Sequence, residues 1–394
     1  MIYRATLGLA GAALRAAAPL AGPDWRQRLA LDDPPPPADI WVHGASVGEL
    51  NSARPVILTL AVRHRVLVTA NSLTGRAVAA GWGLPARLAP VDVPGAVGRF
   101  LDAVRPRLML TVENEIWPIR AAEARARPIA QAVIGARLSE RSARRWGRAR
   151  GLIAPVLGGL SLMSAQDEGT EARLLSLGLP ASALVPRLNL KLLGPASVEA
   201  PPEAAARGGV WLAASTHPGE EEAVLAAQKR LQGLRLILAP RHPARADEVA
   251  ALIAAHGLAF DRLGGREVSQ AGSPPVLLID RLGALDQAYA AAGVCFTGGS
   301  LADHGGHTPW EPAAYGCALL HGAHVTNFAA DYAALDAAGA ARQVDAATLG
   351  DAVAHWALDD VARQAAGRAA RRALDAAAPD PAGLVARLDA LAAG

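Results

Sequence analysis

The residues able to do chemistry in this chain are carboxylates, an arginine and glycines, each following an apolar, strand-like run. Glu49 closes a Ser46-Val47-Gly48-Glu49 turn behind Ile40 to His43. A carboxylate there either acts as a general base in a cleft or caps the helix that follows. Glu113, Asn114 and Glu115 follow Leu108 to Val112, and two carboxylates two residues apart beside Ile116-Trp117-Pro118 can raise one another's pKa. Arg241 lies between Pro240 and His242-Pro243 behind another buried run. That rigid setting suits a guanidinium either to bidentate phosphate recognition or to a salt bridge at a strand end. Gly298, Gly299, Gly305 and Gly306 bracket a strand-to-helix passage that reaches Glu311, near a helix start behind Pro309. Backbone N–H groups in such a passage favour an anion and a carboxylate can accept from a ribose diol, which together suggest a nucleotide. The plainer reading is a shaped turn with an acid on a helix dipole. STHPGEEE reads as a helix start, with Ser215 or Thr216 as N-cap and Glu220, Glu221 and Glu222 on the positive end.

These groups need elements to position them, and the sequence supplies an alternation of short β-rich runs with alanine-rich helical stretches. The strand candidates are Ile40 to His43, Val66 to Ala70, Leu108 to Val112, Ile129 to Ile134 and Leu160 to Ala165 in the first half. In the second half they are Val210 to Ala214, Leu234 to Ala239, Val276 to Ile279, Val294 to Thr297 and Ala318 to Leu320. The alternation implies an α/β protein with parallel sheets covered on both faces. At 394 residues the chain exceeds one core, and the Pro, Ala and Gly-rich stretch from Gly194 to Gly209 marks the boundary. The expected plan is a domain over 1–195, a linker over 196–209 and a domain over 210–394. Two doubly wound, Rossmann-like domains bind ligands at the carboxyl ends of their strands, and such domains face each other across a cleft. The functional residues above all follow strands.

Composition narrows the class. Hydrophobic residues make up 52% and charged residues 19%, which excludes extended disorder. A net charge of +3 is too mild to imply nucleic acid. The charge is local, however: nine arginines fall between Arg120 and Arg150 against only Glu123 and Glu140, a block suited to anionic lipid or to a solvated helical face. Cys295 and Cys317 read as small core residues. Ala5 to Leu14 is apolar, but Arg15 and Pro19 interrupt it short of the ~20 residues a membrane span needs, which leaves a short interfacial segment or a secretory signal, with the substrate implied by the resemblance below favouring the former. No Asp-x-Asp pair, His-Glu-x-x-His or Cys-x-x-Cys supports a metal site, and hydrolase and phosphate-loop patterns are missing too.

WVHGASVGEL, VENEIWP, ARLSERS, SAQDEGTEARLLSLG, NLKL, AASTHPGEEE, APRHPAR, DRLGAL and FTGGSLADHGGHTPWEPAAYG, then Val325-Thr326-Asn327-Phe328, occur in the order seen in the Kdo transferases of lipopolysaccharide synthesis. The resemblance spans about residues 40 to 330 and both domains. It implies a GT-B glycosyltransferase that moves 3-deoxy-D-manno-octulosonic acid (Kdo) from CMP-Kdo to a lipid A precursor. The transfer it implies is inverting, without metal or cofactor, by a peripheral or weakly anchored protein at the cytoplasmic face of the inner membrane. Carried over by position, Glu49 is the expected catalytic base, and Glu113 and Lys191 are expected to stabilise the transition state. Lys191 is one of only two lysines in the chain, with Lys229. The CMP site would comprise Pro240, Arg241, Leu282, Gly283, Ala284, Thr308, Pro309, Trp310 and Glu311. Departures from the family pattern fall at Ala284 for glutamate, Thr308 for asparagine, Leu188 for glycine and Asn114 for threonine. They leave open a divergent paralogue with another acidic sugar or acceptor, alongside a nucleotide-sugar epimerase and a non-catalytic nucleotide- or lipid-binding relative.

Overall fold

The computed structural model describes residues 2–17, 22–113, 116–202, 205–272 and 274–394. Six parallel strands form the first sheet: β1 (Ile40–His43), β2 (Val66–Ala70), β3 (Ala86–Leu88), β4 (Leu108–Val112), β5 (Ala130–Ala136) and β6 (Leu162–Ala165). Their order is β3-β2-β1-β4-β5-β6, and Ile40–His43 pairs with Val66–Thr69 on one side and Leu108–Thr111 on the other. Strands buried on both faces need near-continuous apolar runs, and β1, β2 and β4 are buried at every residue. Alternate side chains serve different cores. Ile40 and Val42 join the cluster with Val56 and Leu110, while Trp41 joins the opposite one with Leu67 and Phe100.

The second sheet holds β7 (Val210–Thr216), β8 (Arg235–Pro240), β9 (Phe260–Arg262), β10 (Val276–Leu278), β11 (Val294–Thr297), β12 (Ala318–His321) and β13 (Ala341–Gln343). All of its pairings are parallel, in the order β13-β12-β11-β7-β8-β10-β9. All ten expected strands are present, within one or two residues of the expected ends. The three that sequence patterning did not mark, β3, β9 and β13, are three-residue edge strands, partly exposed and too short to display a period.

The chain divides into two compact units, Met1–Gly194 with Pro379–Gly394, and Pro195–Ala378. This corrects the expected second domain over 210–394. The last helix, Ala382–Ala393, returns to the first unit, where Leu384, Leu388 and Ala392 enter the core beneath the helix Val47–Ala61. The expected linker 196–209 is also packed. Arg371 donates to the carbonyls of Ala196 and Val198, and Arg207 is buried, donating at 2.7 Å to the carbonyls of Ala292 and Tyr315. At the other end, the helix Ile2–Ala17 lies against the helix Pro94–Val104, with Leu7 on the Trp41 cluster. Pro19 lies outside the described residues, among which no helix is long and apolar enough to cross a membrane.

Candidate functional site

In the first unit the candidate catalytic residues line the carboxyl edge of the sheet. Strand order reverses between β1 and β4, the switch point at which open α/β sheets bind ligands. Glu49 follows β1 and Glu113 follows β4, so the two flank that point. Glu49 stands in the first turn of the helix Val47–Ala61, where the N-cap Ser46 accepts its N–H at 3.2 Å and its own carboxylate accepts the Ala45 N–H at 2.6 Å. The capping role is therefore real, and it holds the carboxylate in one orientation at the sheet edge. Glu113 has φ +57°, a left-handed conformation costly for a residue with a Cβ, and its N–H is tied to the Ile134 carbonyl at 2.9 Å. Strain of that kind persists only where the surroundings enforce it. Asn114 and Glu115 lie outside the described residues.

Lys191 reaches the same edge by a return of the chain. The Leu188 N–H bonds the Ala165 carbonyl at the end of β6, and Leu190 covers Gly135 in β5 so closely that a Cβ there would lie 2.5 Å from it. Leu188 is itself 3% exposed, an apolar plug where the family pattern has glycine. Lys191 is exposed in the helix Leu190–Ala196 and makes no ion pair with any described residue.

In the second unit the reversal falls between β7 and β11, and residues from the ends of β7, β8 and β11 meet around it. β7 runs on through Thr216, so Ser215 and Thr216 are strand residues rather than the expected N-cap. The cap of the helix Glu220–Arg230 is Gly219, at φ +92°. Ser215 adopts φ +57°, and its carbonyl oxygen would lie 2.5 Å from any Cβ placed on Gly298. Glycine is required there by that approach. The glycine run is held from below by Glu220, which is fully buried and accepts the N–H groups of His217, Gly299, Ser300 and Leu301 at 2.7–2.9 Å. Glu221, also buried, accepts from Thr216 Oγ1 at 3.0 Å and from Arg245 at 2.8 Å. The strand-end salt bridge thus belongs to Arg245. Arg241 is exposed and makes no ion pair with any described residue, although its N–H is fixed to the Thr216 carbonyl.

The remaining expected nucleotide residues lie in the same unit, at and beyond the ends of β8, β10 and β11. Pro240 is the buried last residue of β8. Leu282 is 77% exposed, Gly283 has φ +77°, and Ala284 is buried ahead of the helix Leu285–Ala291. Thr308 Oγ1 accepts the Trp310 N–H at 3.3 Å, so this hydroxyl takes a local capping role beside Pro309 and the short helix Trp310–Ala314. Glu311 is exposed as a residue, yet the protein around its carboxyl strips away water. That loss of water pushes its pKa up, against the opposing hydrogen bond from Tyr289 and the charge of Arg241.

Sequence reasoning missed four histidines. His217, His242, His304 and His307 cluster here, with His217 stacked on His304 at 4.1 Å between ring centroids and its Nε2 2.9 Å from His307 Nε2. Their only signal was position, since each follows a strand end. The arginine block, by contrast, divides. Arg120 is buried among Trp41 and Trp117, Arg125 donates to the Pro155 carbonyl, and Arg127 pairs with Asp102 and Glu123. Arg141, Arg144, Arg145 and Arg148 are exposed on the helix Glu140–Arg148, none of whose residues is buried. Cys295 and Cys317 are both buried free thiols.

Comparison with known proteins bears on both units. A family model described as 3-deoxy-D-manno-octulosonic-acid transferase (kdotransferase) matches residues 23–193. A 3-deoxy-D-manno-octulosonic acid transferase of Bordetella pertussis is 36% identical across 93% of this chain and 86% of its own length. Among solved structures, the UDP-GlcNAc 2-epimerase of Neisseria meningitidis, bound to UDP-GlcNAc, aligns with TM-score 0.56 at 13% identity, covering 86% of this chain and 97% of its own. A spinosyn rhamnosyltransferase complexed with spinosyn aglycone aligns with TM-score 0.52 at 18% identity, covering 89% and 100%. At those identities the two structures show a shared fold, the GT-B type with two parallel sheets. Identity over nearly the whole length with the Bordetella enzyme says more: the chain belongs to the Kdo transferase family of glycosyltransferases.

Proposed function

We propose that this chain is an inverting, metal-independent glycosyltransferase that moves Kdo from CMP-Kdo to a lipid A precursor in lipopolysaccharide synthesis. The observation that carries the reading is the position of Glu49 and Glu113 just beyond the carboxyl ends of β1 and β4, the two strands flanking the switch point of the first sheet. The first unit takes the acceptor and the second takes the nucleotide. Glu49 accepts the proton of an acceptor hydroxyl as that oxygen forms a bond to the anomeric carbon of Kdo. The bond from that carbon to the phosphate oxygen breaks, its electron pair leaves with CMP, and configuration inverts. Glu113 offsets positive charge developing at the anomeric carbon, and Lys191, which makes no ion pair with any described residue, offsets negative charge in the same transition state. Arg241 meets the phosphate, whose growing charge it offsets without help from a metal. Glu311 suits a ribose diol. The exposed arginines of the helix Glu140–Arg148 suit anionic lipid, consistent with a peripheral protein at the cytoplasmic face of the inner membrane.

The test is mass spectrometry of the lipid after incubation of the protein with CMP-Kdo and a tetra-acylated lipid A precursor. Each transfer adds one Kdo mass. Glu49→Gln keeps an oxygen to accept the Ala45 N–H, so the helix start survives while the base is lost. Turnover should then fall on the order of 10²–10⁴-fold. An unshifted acceptor mass with the native chain, or full turnover by Glu49→Gln, refutes the assignment.

A further inference from the structure

Four imidazoles beside Arg241, a cation that makes no ion pair with any described residue, are an uncommon grouping, and the proposed transfer uses none of them. His217 follows β7, His242 follows β8, and His304 and His307 follow β11, so the strand order β8-β7-β11 alone assembles them. The ring planes of His217 and His307 are 9° apart, and the rings meet edge to edge with their Nε2 atoms 2.9 Å apart. A hydrogen bond between two Nε2 atoms contains one proton, so one ring donates and the other accepts. The donating ring can take one more proton on Nδ1 and keep the bond. A second would set two N–H groups head to head, which limits the pair to one added charge.

The surroundings decide whether that charge is present. Burial lowers the basicity of both rings, bringing His307 down to about 4, and the charge of Arg241 acts in the same direction on each. His304 and His242 also oppose a charge on His217. Glu220 favours it, but its carboxylate is occupied by four backbone N–H groups. Near neutral pH the empty pair is therefore uncharged. An anion bound at Arg241 cancels that cation's opposing charge on both rings and adds an attraction.

We infer that the His217–His307 pair takes up a proton when a phosphate monoester binds at Arg241, making nucleotide binding proton-coupled. This rests on the proposed CMP site in the second unit. The sign follows from linkage: binding raises the imidazole pKa, so affinity rises as pH falls through the bound value and levels off at the free value. The slope is at most tenfold per pH unit, because the pair accepts one proton.

Titration calorimetry tests this with CMP and the full chain at pH 7.0, in two buffers of different ionisation enthalpy. Net uptake of up to one proton per CMP is expected. The nucleotide's own phosphate, which ionises near pH 6, gives the opposite sign. Cytidine, which lacks phosphate, should bind without uptake. His307→Gln and His217→Gln should each abolish the uptake while leaving cytidine binding intact, which also verifies folding. CMP binding with no proton uptake, or uptake unchanged in both variants, overturns the inference and leaves the nucleotide site standing. No binding of CMP at all overturns both.

Discussion

Three consecutive glutamates with three different environments make a test of how the nucleotide-side loop is held. Glu220 is fully buried and accepts four backbone N–H groups, two of which, from Gly299 and Ser300, are themselves buried. Replacing it with alanine leaves those two donors without a partner, at about 1–3 kcal/mol each, while the partly exposed donors of His217 and Leu301 can turn to water. The expected loss is therefore about 2–6 kcal/mol, a large share of the 5–15 kcal/mol that typically holds a domain together. Glu222, exposed in the first turn of the same helix, should change by no more than about 0.5 kcal/mol as alanine. Urea unfolding of the native chain and both variants, followed by far-UV circular dichroism, supplies the comparison. If Glu220→Ala unfolds within about 1 kcal/mol of the native chain, the loop does not depend on that carboxylate and the account of the glycine run is wrong.

Two further outcomes follow from packing and charge. Ending the chain after Ala378 removes Leu384, Leu388 and Ala392 from the first core, and two buried leucines at about 1.5–3 kcal/mol each should destabilise that unit by roughly 3–6 kcal/mol. An unchanged first transition in urea would contradict the return of the chain to that unit. Removing the charges of Arg141, Arg144 and Arg145 together should weaken binding to phosphatidylglycerol vesicles by roughly fivefold per charge, less at high salt. Equal partitioning would make that helix an ordinary solvated face.

Much of the candidate site was legible because a strand buried on both faces must be a short apolar run. The first polar or glycine residue beyond such a run marks the carboxyl end of the strand, where parallel sheets bind ligands. That local rule found Glu49, Glu113, Arg241 and the Gly298 to Glu311 passage. It also overextended. Ser215 and Thr216 have the side chains of an N-cap, yet β7 continues through them because Thr216 has a buried carboxylate, Glu221, to meet.

By itself the sequence determined which segments are strands, which residues stand at their ends, and, through the ordered motifs, which family the chain resembles. Those are properties of contiguous residues. Tertiary structure decided the rest, because sheet order and burial depend on residues far apart in the chain. It selected Glu220 and Glu221 for the interior and left Glu222 in water. It split the arginine block into Arg127, paired with Asp102 and Glu123, and Arg141, exposed on its helix. The final helix went to the first core, where an apolar stripe of Leu384 and Leu388 could be covered. Above all, it brought the Nε2 atoms of His217 and His307, 90 residues apart, to 2.9 Å from each other, a contact that no local pattern encodes.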